Sequence, residues 1–131
     1  MNKVVIDTNI LVSSLWSQNG NPNRILRLLP EKIITSYFCQ DILKEYKKVL
    51  RRPKFDFSDL EINKLLRLLL LYGTEVSIIA SLIPISVESD RIFYDTANES
   101  GSILITGNLK HYPVEPFIMT PVEFLDRMYL K

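Results

Sequence analysis

The sequence predicts an α/β protein, a three-layer α/β/α sandwich with a central, mostly parallel sheet, and three observations carry that prediction. Short β-branched runs such as "KVVI" suit strands buried on both faces. Between them lie segments with helix start and stop signals. Strand and helix alternate along the whole chain, and parallel strands need such crossovers. At 131 residues the chain has room for one core, so residues 1–131 form a single domain.

In chain order, "KVVI" is the first strand and "DTN" ends it. "NILVSSLWS" suits a helix stopped by Asn19 and Gly20, after which Asn21 caps a second helix with Pro22 at its first position and "RILRLLPE" continuing it. "KIIT" is a second strand. A helix from about Asp41 to Arg51 ends at Arg52-Pro53. "SDLE" is a capping box for a helix carrying Ile62, Leu65, Leu66, Leu69 and Leu70 to Gly73. "EVSII" and "IPIS" are strand-like, the second a candidate third parallel strand. "RIFYDTANES" is helical with Gly101 as its stop, "SILIT" and "FIM" are strands, and "TPVEF" opens a last helix with Thr120 as N-cap, Pro121 at N1 and Glu123 at N3.

Composition narrows the function classes. Sixteen basic against fifteen acidic residues leave a net charge of +1, so no global field attracts a polyanion and any nucleic-acid binding must be local. Cys39 is the single cysteine, which excludes an internal disulfide and a multi-cysteine zinc site. The start of the chain lacks a basic segment followed by a long apolar run, and Asp7 breaks the run there is. The richest apolar window is interrupted by Arg67, Gly73, Glu75 and Pro84, short of the about 20 residues that span a bilayer. A cytoplasmic protein with no membrane association is expected.

An ionised carboxylate between two apolar runs needs compensation, and Asp7 is such a group. An N-cap role suits Asp7, and Asp90 in "ESDRIF" suits one better still. On the helix from about Asp41 to Arg51, at about 100° per residue, Ile42, Leu43, Tyr46, Val49 and Leu50 form one apolar arc. Glu45 borders that arc while Lys44, Lys47 and Lys48 lie opposite, so Glu45 is either a site acid or a solvated edge residue. Asp41, Asp59 and Glu61 suit helix starts, and Asp95 is expected on the surface, with a place behind the site acids as the alternative. The lone histidine, His111, makes a Cys39–His111 or serine triad a poor candidate. In a parallel sheet ligands gather at the carboxyl ends of strands where strand order reverses, and Asp7, Asp90, Thr106, Gly107 and Asn108 are all placed to face such a crevice.

"VVIDTNILVSSL", "DILKEYKKVLRRPKF" and "ESDRIFYDTANESGSILITGNLKHYP", in this order, resemble the motifs of the PIN domain, in particular those of the bacterial toxin–antitoxin branch of VapC-like toxins. Asp90 precedes Ala97 by seven residues and Gly101 by eleven, a spacing like that of the family's third acidic motif. The resemblance implies a metal-dependent ribonuclease with Asp7, Glu45 and Asp90 as catalytic acids and ligands of Mg²⁺ or Mn²⁺. It further implies in-line attack of water, leaving a 5′-phosphate and a 3′-hydroxyl. Asn108 stands where the family's "TGD" motif places a fourth acid, and His111 where some relatives recover it. Thr8, Asn9, Thr106, Asn108 and His111 are expected around the acids. Lys47, Lys48, Arg51, Arg52 and Lys54 make a local basic patch that either tracks an RNA backbone or is a solvated helix end.

In the family setting, RNA is the substrate, an antitoxin protein holds the toxin, and the toxin forms a homodimer. Two other functions compete: a non-catalytic or weakly active PIN-like RNA-binding or regulatory module, and a receiver-like phosphotransferase with Asp7 as acceptor. The second is disfavoured because the first motif is "DTN" and not a paired acid.

Overall fold

The computed structural model describes residues 2–129. Five parallel strands make one sheet in the order β3-β2-β1-β4-β5, built from β1 (Asn2–Ile6), β2 (Ile34–Phe38), β3 (Gly73–Glu75), β4 (Ile103–Ile105) and β5 (Ile118–Met119). Helices α1 (Thr8–Trp16), α2 (Asn21–Leu26), α3 (Gln40–Leu50), α4 (Asp59–Leu71), α5 (Arg91–Ser100) and α6 (Pro121–Tyr129) flank it. The class and the parallel sheet are those the sequence predicts. Val4, Val5 and Ile6 of the central strand are fully buried, as a strand covered on both faces requires.

The topology fixes where a ligand can sit. From β1 the chain moves through β2 to β3 on one side, then returns to β4 and β5 on the other. Strand order therefore reverses between β1 and β4, and the crevice at a reversal opens at the carboxyl ends of the strands. Ile6 pairs with Ile105 at that end, and the Asp7 N–H donates to the Ile105 carbonyl at 3.0 Å. Asp7 and Thr106 thus leave the sheet side by side.

Local chemistry explains the helix ends. Ser58 and Glu61 form a reciprocal capping box at α4, and Thr120 and Glu123 repeat it at α6, as their spacing predicts. Gly101 ends α5 at φ +67°, a conformation that glycine adopts without a Cβ penalty.

Four sequence readings are corrected. The third strand is Gly73–Glu75 and not "IPIS", which lies in an irregular stretch. That stretch is tied down by side chains of α5 in place of a strand ladder. Asp95 accepts from the Ser81 N–H at 2.8 Å, Glu99 from the Ile79 N–H at 3.3 Å, and Arg91 Nη1 donates to the carbonyls of Ser81 and Ile83. For the same reason Asp95, expected on the surface, is buried. The second strand begins at Ile34 and runs to Phe38, because Lys32 adopts φ +60° and turns the chain before it. Helix α2 begins one residue before Pro22, with Gly20 as its N-cap, and ends at Leu26, where i to i+3 bonds at Leu28 and Leu29 tighten the backbone ahead of Pro30.

Gly73 gives the first testable prediction. A Cβ there would stand 2.2 Å from the Leu69 carbonyl oxygen, 2.8 Å from the Phe38 ring and 2.9 Å from the Ser36 carbonyl oxygen, so α4 and β2 meet across it with no room for a methyl group. Gly73→Ala should destabilise the fold by about 3 kcal/mol through overpacking, read as a lowered urea midpoint. An unchanged midpoint would mean that α4 moves away at little cost.

Candidate functional site

Asp7 occupies the junction of β1 and α1 and is buried. It is the residue before α1 yet its carboxylate makes no capping bond, so the charge is directed elsewhere. Thr106 Oγ1 and Tyr112 Oη both donate to Asp7 Oδ2 at 2.8 Å, leaving Oδ1 without a side-chain donor. Burial pushes the Asp7 carboxyl above its ordinary pKa, opposed by those two hydroxyls, the Thr8 N–H and the nearby imidazole of His111. Proton uptake is thereby favoured over a bare buried charge.

Asp90 ends the turn before α5 and likewise makes no capping bond. Its Oδ2 lies 3.0 Å from His111 Nδ1. Partial burial and the charges of Asp7 and Glu45 raise its pKa, while His111 opposes them. Glu45 is half-buried on α3, one residue before Tyr46. Tyr46 is fully buried and donates to the Ile6 carbonyl at 2.6 Å, which pins α3 to the end of β1 and brings Glu45 to the carboxyl edge of the sheet.

These acids line one cleft of about 380 Å³, together with Asn9, Arg52, Phe55, Trp16, Asn108 and His111. Of the residues expected around the acids, Thr106 bonds Asp7 directly. Asn108 is exposed, and its N–H donates to Thr106 Oγ1 at 3.0 Å. Asn9 Oδ1 accepts from the Gly107 N–H at 3.0 Å, fastening the loop after β4 to α1. Thr8, also expected around the acids, keeps a buried Oγ1 with no hydrogen-bond partner among the described residues. Of the basic patch, Arg52 reaches the cleft, whereas Lys47 lines a separate surface hollow with Asn63, Leu66, Arg67, Leu70 and Leu71. Cys39 is buried, with the Thr96 hydroxyl at 3.5 Å, and His111 faces Asp90, so the two make no hydrolytic pair.

The donor set is chemically suited to a hard divalent cation, since carboxylate oxygens predominate and the mutual repulsion raising Asp90 is what a cation would relieve. Among the described residues, no group of three or more His, Cys, Asp or Glu side chains is arranged to hold a metal ion as it stands. Side chains would have to draw together around one.

Tyr112 is the site residue that sequence reasoning missed. Its phenol lies in "HYP", at the end of the third quoted motif and away from its acid, and the only signal is its place just after His111. The neighbouring Asp7 and Asp90 charges and its own burial hold the phenol strongly protonated, so it acts as a fixed donor. Tyr112→Phe should remove one charge-assisted hydrogen bond, worth about 1.5–3 kcal/mol, and raise the Asp7 pKa further. The acid limb of the pH profile of any activity that needs Asp7 ionised should move to higher pH, because Asp7 would then ionise only at higher pH. A profile unchanged in position would assign Tyr112 a packing role alone.

Fold and cleft together define a parallel α/β protein with a carboxylate site at the topological switch point of its sheet. A model of the PIN domain family matches residues 3–110, and the chain belongs to that family. It is 33% identical to the uncharacterized protein MJ1680 of Methanocaldococcus jannaschii over 95% of its own length and 90% of the relative's. PIN domains are in general nucleases, and nuclease is the activity class that membership supports. No helix among the described residues is long and apolar enough to cross a membrane.

Proposed function

We propose that this chain is a divalent-metal-dependent endoribonuclease that hydrolyses RNA phosphodiester bonds, with Asp7, Glu45 and Asp90 holding Mg²⁺ or Mn²⁺. The observation that supports this reading most is the convergence of three carboxylates from three separate segments on one cleft, where burial first and then the charges of Asp7 and Glu45 push Asp90 above its ordinary pKa. When bound, a divalent cation supplies Lewis acidity at the phosphoryl oxygens and lowers the pKa of water. The protein's own part is to hold the acids. Thr106 and Tyr112 occupy Asp7 Oδ2 and leave Oδ1 without a side-chain donor, and Tyr46 ties α3, which carries Glu45, to the end of β1. His111 holds Asp90 and can exchange a proton with it at Nδ1.

The test is cleavage of single-stranded RNA in Mg²⁺ or Mn²⁺ against the same reaction in chelator. Asn108 weakens the acid set relative to a four-acid site, so half-maximal cleavage should need millimolar Mg²⁺. Asn108→Asp should lower that midpoint, since a carboxylate about 5 Å from the cation attracts it with several kcal/mol at an effective dielectric near 20 before desolvation. An unchanged midpoint at fixed ionic strength would place position 108 outside the reach of the cation.

A second reading, an RNA-binding or regulatory module that does not cut, is favoured by two observations: Asn108 in place of an acid, and His111 already engaging Asp90. RNA bound without metal-dependent cleavage would establish it. The toxin role rests on the order of the motifs. It carries with it an antitoxin partner and a homodimer, tested by a small upstream open reading frame whose product co-purifies with this chain, and by sedimentation of the chain alone.

A further inference from the structure

Trp16 is the last residue of α1, the helix that begins next to Asp7. Nine positions separate them, about 13 Å of helix rise, so a rigid element sets the distance from the acid to the indole. Trp16 is 63% exposed. A ring of this size left open to water forgoes a large burial gain, yet it lines the same cleft as the acids. It is not isolated. The Phe55 ring meets it edge-on at 5.4 Å, Phe57 lies at 6.2 Å, and Phe55 and Phe57 stack at 5.6 Å with planes 19° apart.

The turn that carries these rings also carries cations. It runs from Arg52 through a short helical turn at Pro53–Phe55 to Asp56, whose φ of +54° reverses the chain and brings the two phenyl rings together. Lys54 Nζ lies 5.2 Å from the Phe55 ring centre, and Arg52 lines the cleft. Among the described residues neither cation is in an ion pair. One wall of an acidic cleft is therefore aromatic and positively charged, the combination by which proteins hold unpaired bases and the phosphates between them.

We propose that Trp16 and Phe55 form a base-stacking subsite for single-stranded RNA, continuous with the acidic cleft, with Arg52 and Lys54 taking the adjoining phosphates. The inference rests on the ribonuclease reading for the identity of the ligand and adds how the strand is held beside the acids. A stacked base must be unpaired, so the subsite selects single strands over duplexes and tolerates any base, because every base has a π-face.

Trp16 is the only tryptophan in the chain, so tryptophan fluorescence, excited at the red edge where the six tyrosines do not absorb, reads this subsite alone. Wild-type protein in chelator, where metal-dependent cleavage is off, is titrated with a single-stranded oligoribonucleotide of about ten nucleotides, within the span such surfaces cover. Parallel titrations use the same length as a duplex and as a strand of abasic units. Saturable quenching by the single strand, little by the duplex and none by the abasic strand is the expected result. Trp16→Leu and Phe55→Leu, each checked for unchanged circular dichroism and titrated by fluorescence anisotropy of an end-labelled strand because Trp16→Leu has no tryptophan to quench, should weaken binding of the single strand by about fivefold to a hundredfold and raise the KM for cleavage. Equal quenching by the abasic strand, or unchanged affinity in both folded variants, would overturn the subsite. Because binding is read without metal, quenching without any cleavage would keep the subsite and remove only the nuclease activity. Cleavage without quenching would do the reverse.

Discussion

Asp7→Asn is expected to reduce metal-dependent RNA cleavage by about a hundredfold to a thousandfold, the range for losing one preorganised group of an electrostatic site, and at the same time to make the protein more stable. The amide keeps the shape, and its oxygen can still accept from Thr106 and Tyr112. What disappears is a buried negative charge. The sign of the stability change follows from the pKa. Burial raises the folded-state value of Asp7 above its ordinary 3.8, so the folded protein binds that proton more tightly than the unfolded chain. The stability this contributes is present below the unfolded value and is lost as pH rises through the folded one. At neutral pH the wild type carries that loss and the asparagine variant does not. The melting temperature of Asp7→Asn in chelator should therefore exceed that of the wild type, with the gap closing as pH falls. Mg²⁺ should stabilise the wild type more than the variant, since a ligand that binds only the folded state shifts unfolding by mass action. Activity within about tenfold of wild type in a folded variant, or a lowered melting temperature, would assign Asp7 a structural role.

Such a residue is legible in sequence because the expense of its charge is visible there: an acid at the end of an apolar strand needs a reason. Glu45 is legible as the acid bordering an apolar arc, and the switch point follows from the alternation of strands and helices. Tyr112 is not legible, since its role depends on a contact across 105 positions that no local pattern encodes. The third strand was hidden for a different cause. Gly73–Glu75 is a short edge strand whose residues are exposed or half-buried, so it lacks the apolar run by which buried strands are recognised, whereas the more apolar "IPIS" is held by the polar side chains of α5. Asp95 misleads in the same way. Its partner is a backbone N–H fourteen residues earlier, and helical periodicity has no access to that.

Glu45→Gln and Asp90→Asn should each lower cleavage substantially, and together by less than the sum of their separate free-energy effects. The reason is electrostatic. The Glu45 charge is one of the causes that raise the Asp90 pKa, after burial and the Asp7 charge, so neutralising Glu45 relaxes Asp90, and the second substitution acts on a site the first has already changed. Groups that act as a unit lose activity non-additively, with coupling of about 0.5–3 kcal/mol for residues sharing one site. A capping or packing role would not couple them, because Glu45 lies within α3 while Asp90 stands before α5, making no capping bond. The metal-free protein offers a readout independent of catalysis. In Glu45→Gln the Asp90 carboxyl, followed by NMR, should titrate at lower pH than in the wild type, because one of the charges that raise it is gone. Additive losses of activity together with an unmoved Asp90 titration would separate the two acids and dissolve the shared site.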